Sequence, residues 1–242
     1  MTGAIESARH TERSPIEPLA MAPTRDRTVF VTGGTGYIGR PLVARLLERG
    51  HRVRALARPQ STRRLPAGCV PVVGSALDAS TFVGAIAPAD TLVHLIGTPH
   101  PSPRKAREFE TVDLASVRAA AAGAAAAGCI EHIVYVSVAQ PAPVMAAYQA
   151  ARVAGEAVVR SSRIPATILR PWYVLGPGHR WPYLLLPVYW IAEHLPSMRD
   201  SARRLGLVTR AQMVRALVAA VEDPPRDVRV VSVPDIRRAR LG

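Results

Sequence analysis

VFVTGGTGYIGR, residues 29–40, decides how the rest of the chain is read. A short β-branched run leads into Gly33, Gly36 and Gly39, and a helical pattern begins at once. Each glycine has its own use in a strand that turns tightly into a helix. Gly33 permits the turn, Gly36 lets the backbone approach a pyrophosphate, and Gly39 lets the helix press on the strand. The helix N-terminus then presents unpaired N–H groups and the positive end of its dipole to phosphate oxygens.

Outward from this turn, short apolar runs alternate with longer helical stretches. The strand expectations are residues 28–32, 52–57, 70–73, 91–96, 132–137, 166–170 and 228–233, each bounded by Gly, Pro or charge as strands buried on both faces are. Helical patterns fill residues 37–49, 79–86, 104–127, 145–162 and 209–222. In the last, Thr209 is placed to cap the N-terminus, and Met213, Leu217 and Val221 share one face. Such alternation implies right-handed crossovers and an α/β fold, a doubly wound parallel sheet of Rossmann type. Residues 1–26 are polar, contain Pro15, Pro18 and Pro23, and read as a disordered tail. Met21 is an alternative start. Residues 27–242 then form a single domain, with a small cap segment over about 172–208.

The chain has 242 residues, enough to bury a core without staples. Lys and Arg number 31 against 18 Asp and Glu, a formal charge of +13, and Lys105 is the single lysine. An Ala-, Arg- and Pro-rich composition accounts for part of that basicity. The arginines are scattered and aromatics make up 5%, so a nucleic-acid partner is disfavoured. Cys69 and Cys129 exclude a disulfide framework, and the seven histidines show no metal-ligand spacing, so no metal site is expected. No apolar run approaches the roughly 18 residues that span a bilayer. The N-terminal residues carry Glu6, Glu12 and Glu17 and lack the apolar core of a signal peptide. A cytoplasmic protein is the expectation.

The residue that ends the second strand reads the adenosine ribose of a bound dinucleotide. HRVRALARP, residues 51–59, has no acid there; Arg58 ends the run, and Arg40 follows the glycine turn. A guanidinium matches a 2′-phosphate, where a carboxylate would repel it. The reading is NADP(H) in preference to NAD(H).

The TGxxGxxG spacing, with Thr32 before the first glycine, resembles the short-chain dehydrogenase/reductase superfamily. More specifically it is similar to the atypical or extended branch, often labelled NAD-dependent epimerase/dehydratase or NAD(P)H-binding. The resemblance covers about residues 28–178 well and implies a cofactor site along that stretch. It assigns Gly33, Thr35, Gly36, Tyr37, Ile38 and Gly39 of the turn to cofactor binding, then Arg58. VGSALDAS, residues 73–80, looks like the segment that contacts adenine. Ser75 stands for its first acid and Asp78 matches the second, though Asp78 equally suits a helix N-cap. LVHLIGT, residues 92–98, is similar to the fourth strand and the small-residue turn over the cofactor, with Leu95, Ile96 and Gly97. Pro171 and Val174 match positions that meet the nicotinamide carboxamide.

The superfamily's chemistry is carried by a serine after the fifth strand and a YxxxK pair on the next helix. Here Ser137 follows IVYV, and Tyr148 and Arg152 occupy the pair's positions, one helical turn apart. The resemblance implies that Ser137 hydrogen-bonds the reacting oxygen and Tyr148 transfers its proton. Arg152 would acidify the phenol and contact cofactor ribose. Arginine keeps the charge of the lysine it replaces but cannot join a proton relay. The family's asparagine is missing, and Asp113 stands near its place.

Residues 180–196 carry Trp181, Tyr183, Tyr189 and Trp190 among leucines, interrupted by Pro182 and Pro187. This stretch reads as a packed cap, or else as a greasy lid or a peripheral membrane contact. His179 lies beside it. Extended-branch enzymes for nucleotide sugars have a larger C-terminal substrate domain, which disfavours that substrate class. The expected function is hydride transfer between NADP(H) and a carbonyl or hydroxyl of a small, lipophilic substrate. The alternative is a non-catalytic NAD(P)-binding redox sensor or assembly protein.

Overall fold

The computed structural model describes residues 26–142, 144–177 and 205–241. The glycine turn joins strand β1 (Thr28–Thr32) to helix α1 (Gly39–Glu48), followed by β2 (Arg52–Ala57), β3 (Val70–Val73) and β4 (Thr91–His94). After β4 come a π-helical turn (Phe109–Leu114), α2 (Ala115–Ala127), β5 (His132–Val136), α3 (Ala146–Ser161) and β6 (Ala166–Leu169). Two short strands, β7 (Tyr173–Leu175) and β8 (Leu207–Thr209), pair with each other in parallel. Helix α4 (Arg210–Glu222), strand β9 (Val228–Val231) and helix α5 (Val233–Arg238) complete the chain.

Seven strands form one parallel sheet in the order β3-β2-β1-β4-β5-β6-β9. The period of two along β1 sends its side chains to opposite faces. Val29 and Val31 join α1 and α4 in one core, and Phe30 joins α2 and α3 in the other. Met213, Leu217 and Val221 are all fully buried, as their spacing on α4 predicts. Thr209 caps that helix reciprocally with Gln212. The order reverses between β1 and β4, which opens a crevice at their C-terminal ends.

Residues 79–86 depart from the expected α-helix. They form two 3₁₀ turns, Ala79–Thr81 and Val83–Ala85, separated at Phe82 by a φ of −140°. Phe82 leaves the helical path to stack on Phe30, ring centroids 5.9 Å apart, and is fully buried. Burying that ring outweighs a helix too short to stabilise itself. Of the cap segment, β7 and β8 are described; residues 180–196 and His179 lie outside the described residues, as does the N-terminal tail up to residue 25. No described helix is long and apolar enough to cross a membrane.

Candidate active site

The glycine turn has the geometry its sequence demands. Gly33 takes a φ of +80°, and the Gly36 amide donates to the Gly33 carbonyl at 3.0 Å. A Cβ on Gly39 would collide with that same carbonyl, so only glycine lets α1 start where it does. Ile38 at the N-cap makes no side-chain capping bond, and the first turn holds no acid. The positive end of the helix dipole therefore faces the crevice with no acid to offset it, which suits an anion.

Two adjoining cavities of about 570 and about 860 Å³ extend from this turn and share Gly33, Thr35, Arg58 and Pro99. The first is walled by Gly36, Tyr37, Ile38 and Gly39, then by Leu95, Gly97, Ser137, Tyr148, Arg152, Pro171 and Val174. Ser75 and Ile96 line the second beside apolar Leu56, Leu77 and Val112. The fold thus brings the residues singled out in the sequence to one cleft, Arg40, Asp78 and Asp113 excepted. Asp78 caps the turn that follows it, accepting from the Ser80 amide at 3.0 Å and the Ser80 hydroxyl at 2.7 Å. Arg64, in a 3₁₀ turn (Pro59–Arg64), joins Arg58 on the wall, and no described carboxylate lines either cavity.

At the other end, Tyr148 sits on α3 with its ring between two neighbours. Arg152 Cζ lies 5.2 Å from the ring centroid, and the Phe109 ring meets it edge-on at 5.1 Å. The guanidinium is enclosed. Its Nη2 donates to Asp113 Oδ1 at 2.6 Å, and Nη1 donates to the carbonyls of Val136 at 3.0 Å and Ile96 at 3.4 Å. Burial works against its charge, but Tyr148, Tyr135 and Asp113 overcome this and raise its pKa, so it stays cationic. Asp113 in turn accepts from the Thr98 amide and, at 2.5 Å, from the Thr98 hydroxyl.

Ser137 is buried, and its hydroxyl donates to Glu156 Oε1 at 2.7 Å. Glu156 also receives Gln140 at 2.9 Å and both the Nε and Nη2 of Arg170, at 2.8 and 2.6 Å. Its position four residues after Arg152, on the same helical face, is the signal in the sequence that would have found it. Phe109 and Arg64 have no such signal, since their places depend on how turns fold back.

The cleft fits a dinucleotide: a helix N-terminus for a diphosphate, arginines at the β2 end, and an apolar slot in the second cavity. A sequence model described as NAD(P)H-binding matches residues 33–224. The ceramide reductase of Caulobacter vibrioides is 30% identical over 220 residues, covering 90% of this chain and 68% of that protein. The chloroplastic divinyl chlorophyllide a 8-vinyl-reductase of Zea mays is 54% identical over 48 residues, which are 20% of this chain and 12% of that one. Among solved structures, the Bordetella bronchiseptica enzyme WbmH in complex with NAD+ superposes with a TM-score of 0.65 at 20% identity, covering 85% of this chain and 75% of its own. With sequence, fold and cleft in agreement, the chain belongs to the NAD(P)H-binding family and is an NAD(P)-binding oxidoreductase of the short-chain dehydrogenase/reductase type.

Proposed function

We propose that the protein uses NADP(H) in preference to NAD(H) and acts on a carbonyl or hydroxyl group of a small, largely apolar substrate. The observation that carries this is one continuous cleft with Arg58 on the wall shared by both cavities, Tyr148 farther along it, and no described carboxylate lining it. Arg58 and Arg64 supply guanidinium groups for a 2′-phosphate. The amides of the glycine turn hold the diphosphate. Bound nicotinamide supplies or takes up the hydride at the substrate carbon. Tyr148 delivers a proton to the reacting oxygen in reduction and removes it in oxidation. Ser137, with its own proton given to Glu156, can accept from a substrate hydroxyl or from the phenol but has no proton for a carbonyl oxygen.

Val136, Val138 and Trp172 line the reactive end, which supports an apolar substrate body. The Caulobacter relative is named for a lipid, and that supports the same reading. Calorimetric titration with NADPH and NADH tests the cofactor. NADPH should bind at least about tenfold tighter, and Arg58→Ala should erase most of that margin. Equal affinities would refute the NADP preference. A screen of ketones and aldehydes of increasing chain length, followed by NADPH oxidation, tests the chemistry; tight binding with no turnover anywhere in the series favours the sensor reading.

A further inference from the structure

The Arg152 guanidinium sits where a cofactor-facing cation is expected, yet its terminal nitrogens are engaged within the protein. Nη1 joins the chain ends that leave β4 and β5, at the Ile96 and Val136 carbonyls. Nη2 is paired with Asp113, and the two side chains are 7% and 1% exposed. Asp113 reaches this position from the π-helical turn, a local widening that places carboxylate and Phe109 on the two sides of one site. Gly97 closes the arrangement. A Cβ there would collide with Arg152 Nη2 and lie 3.1 Å from Asp113 Oδ1. Gly97 is without a left-handed φ, so the backbone itself does not call for glycine.

We infer that Gly97, Asp113 and Arg152 form one latch beneath the cleft. Asp113 is a positioning residue that holds the guanidinium against the Tyr148 ring, and Gly97 is the space the guanidinium fills. A lysine at 152 cannot build this latch, because an ammonium lacks the planar fork that reaches two carbonyls and a carboxylate together. Asp113 would then keep its Thr98 bonds but lose the fixed guanidinium contact at a buried position. Glycine at 97 therefore answers to the arginine as well as to the cavity it lines, and the latch stands independently of the substrate reading.

The test is a thermodynamic cycle on Gly97→Ala, Arg152→Lys and the two combined, read by thermal midpoint and NADPH titration. Gly97→Ala alone should lower the midpoint and weaken NADPH binding about tenfold, as overfilling a packed site does. With Arg152→Lys present the collision is gone. Gly97→Ala should then leave the midpoint where Arg152→Lys alone puts it and cost less NADPH affinity than it does in the wild type. Additive penalties, or a Gly97→Ala protein that behaves as wild type, overturn the latch. Should Gly97→Ala not fold, Asp113→Asn with Arg152→Lys gives the same cycle: non-additive midpoints support the latch and additive ones overturn it. If the wild type binds no NADPH, the cofactor reading falls, and the midpoints still decide the latch.

Discussion

His94 shows how a single residue carries the chemistry of its surroundings. It ends β4 fully enclosed, with Thr32 Oγ1 2.8 Å from Nδ1 and Ser116 Oγ 3.3 Å from Nε2. Ser116 donates its own proton to the Asp113 carbonyl, so it accepts from Nε2–H, and Thr32 donates to Nδ1. Burial, and then the nearby Arg152 charge, push the imidazole pKa down to about 3 from 6.5. Between those values the unfolded chain binds a proton that folded His94 refuses, so stability must fall as pH falls through that window. His132 adds to this, lowered to about 4 mainly by burial, with Arg229 and Arg27 contributing. The thermal midpoint should drop steadily below pH 6.5, and His94→Asn should make that decline shallower. An unchanged slope would mean the imidazole is not the group responsible.

At the scale of elements, local signals held where burial and capping agree with them. The capping box on α4 is legible as Thr209 followed three residues later by Gln212 before an apolar face. The Thr209 amide donates to Gln212 Oε1 at 2.8 Å, and the Gln212 amide donates to Thr209 Oγ1 at 3.1 Å. Thr209→Ala should therefore destabilise the protein by about 1 kcal/mol in urea unfolding, with cofactor affinity unaltered. The turns at 79–86 and the π-helical turn at Phe109–Leu114 were not legible, and the reason is the same in both. Phe82 and Phe109 are buried by distant partners, and the backbone bends to deliver them.

For the whole molecule, Glu156 ties together what the sheet brings to one end. Through Ser137 and Gln140 it meets the chain leaving β5, and through Arg170 the chain leaving β6. Its side chain is 5% exposed and that of Arg170 27%. Replacing it with glutamine leaves Arg170 without its charged partner at a mostly buried position. Glu156→Gln should lose about 2 kcal/mol of stability by chemical denaturation. A loss within a few tenths would show that Arg170 finds another acceptor.

From sequence alone come the alternating architecture and the phosphate-binding turn, which rest on short-range patterns, and, through the family resemblance, the residues along the cleft. Strands buried on both faces read as short unbroken apolar runs, and a glycine turn needs only its own few residues. What those side chains do in the site had to wait for the tertiary structure. Arg152 faces a carboxylate 39 residues earlier, and Ser137 gives its proton to one 19 residues later. Such pairings exist only once the parallel sheet has set the ends of β4, β5 and β6 side by side, since the distance between two charges in space is independent of their distance along the chain.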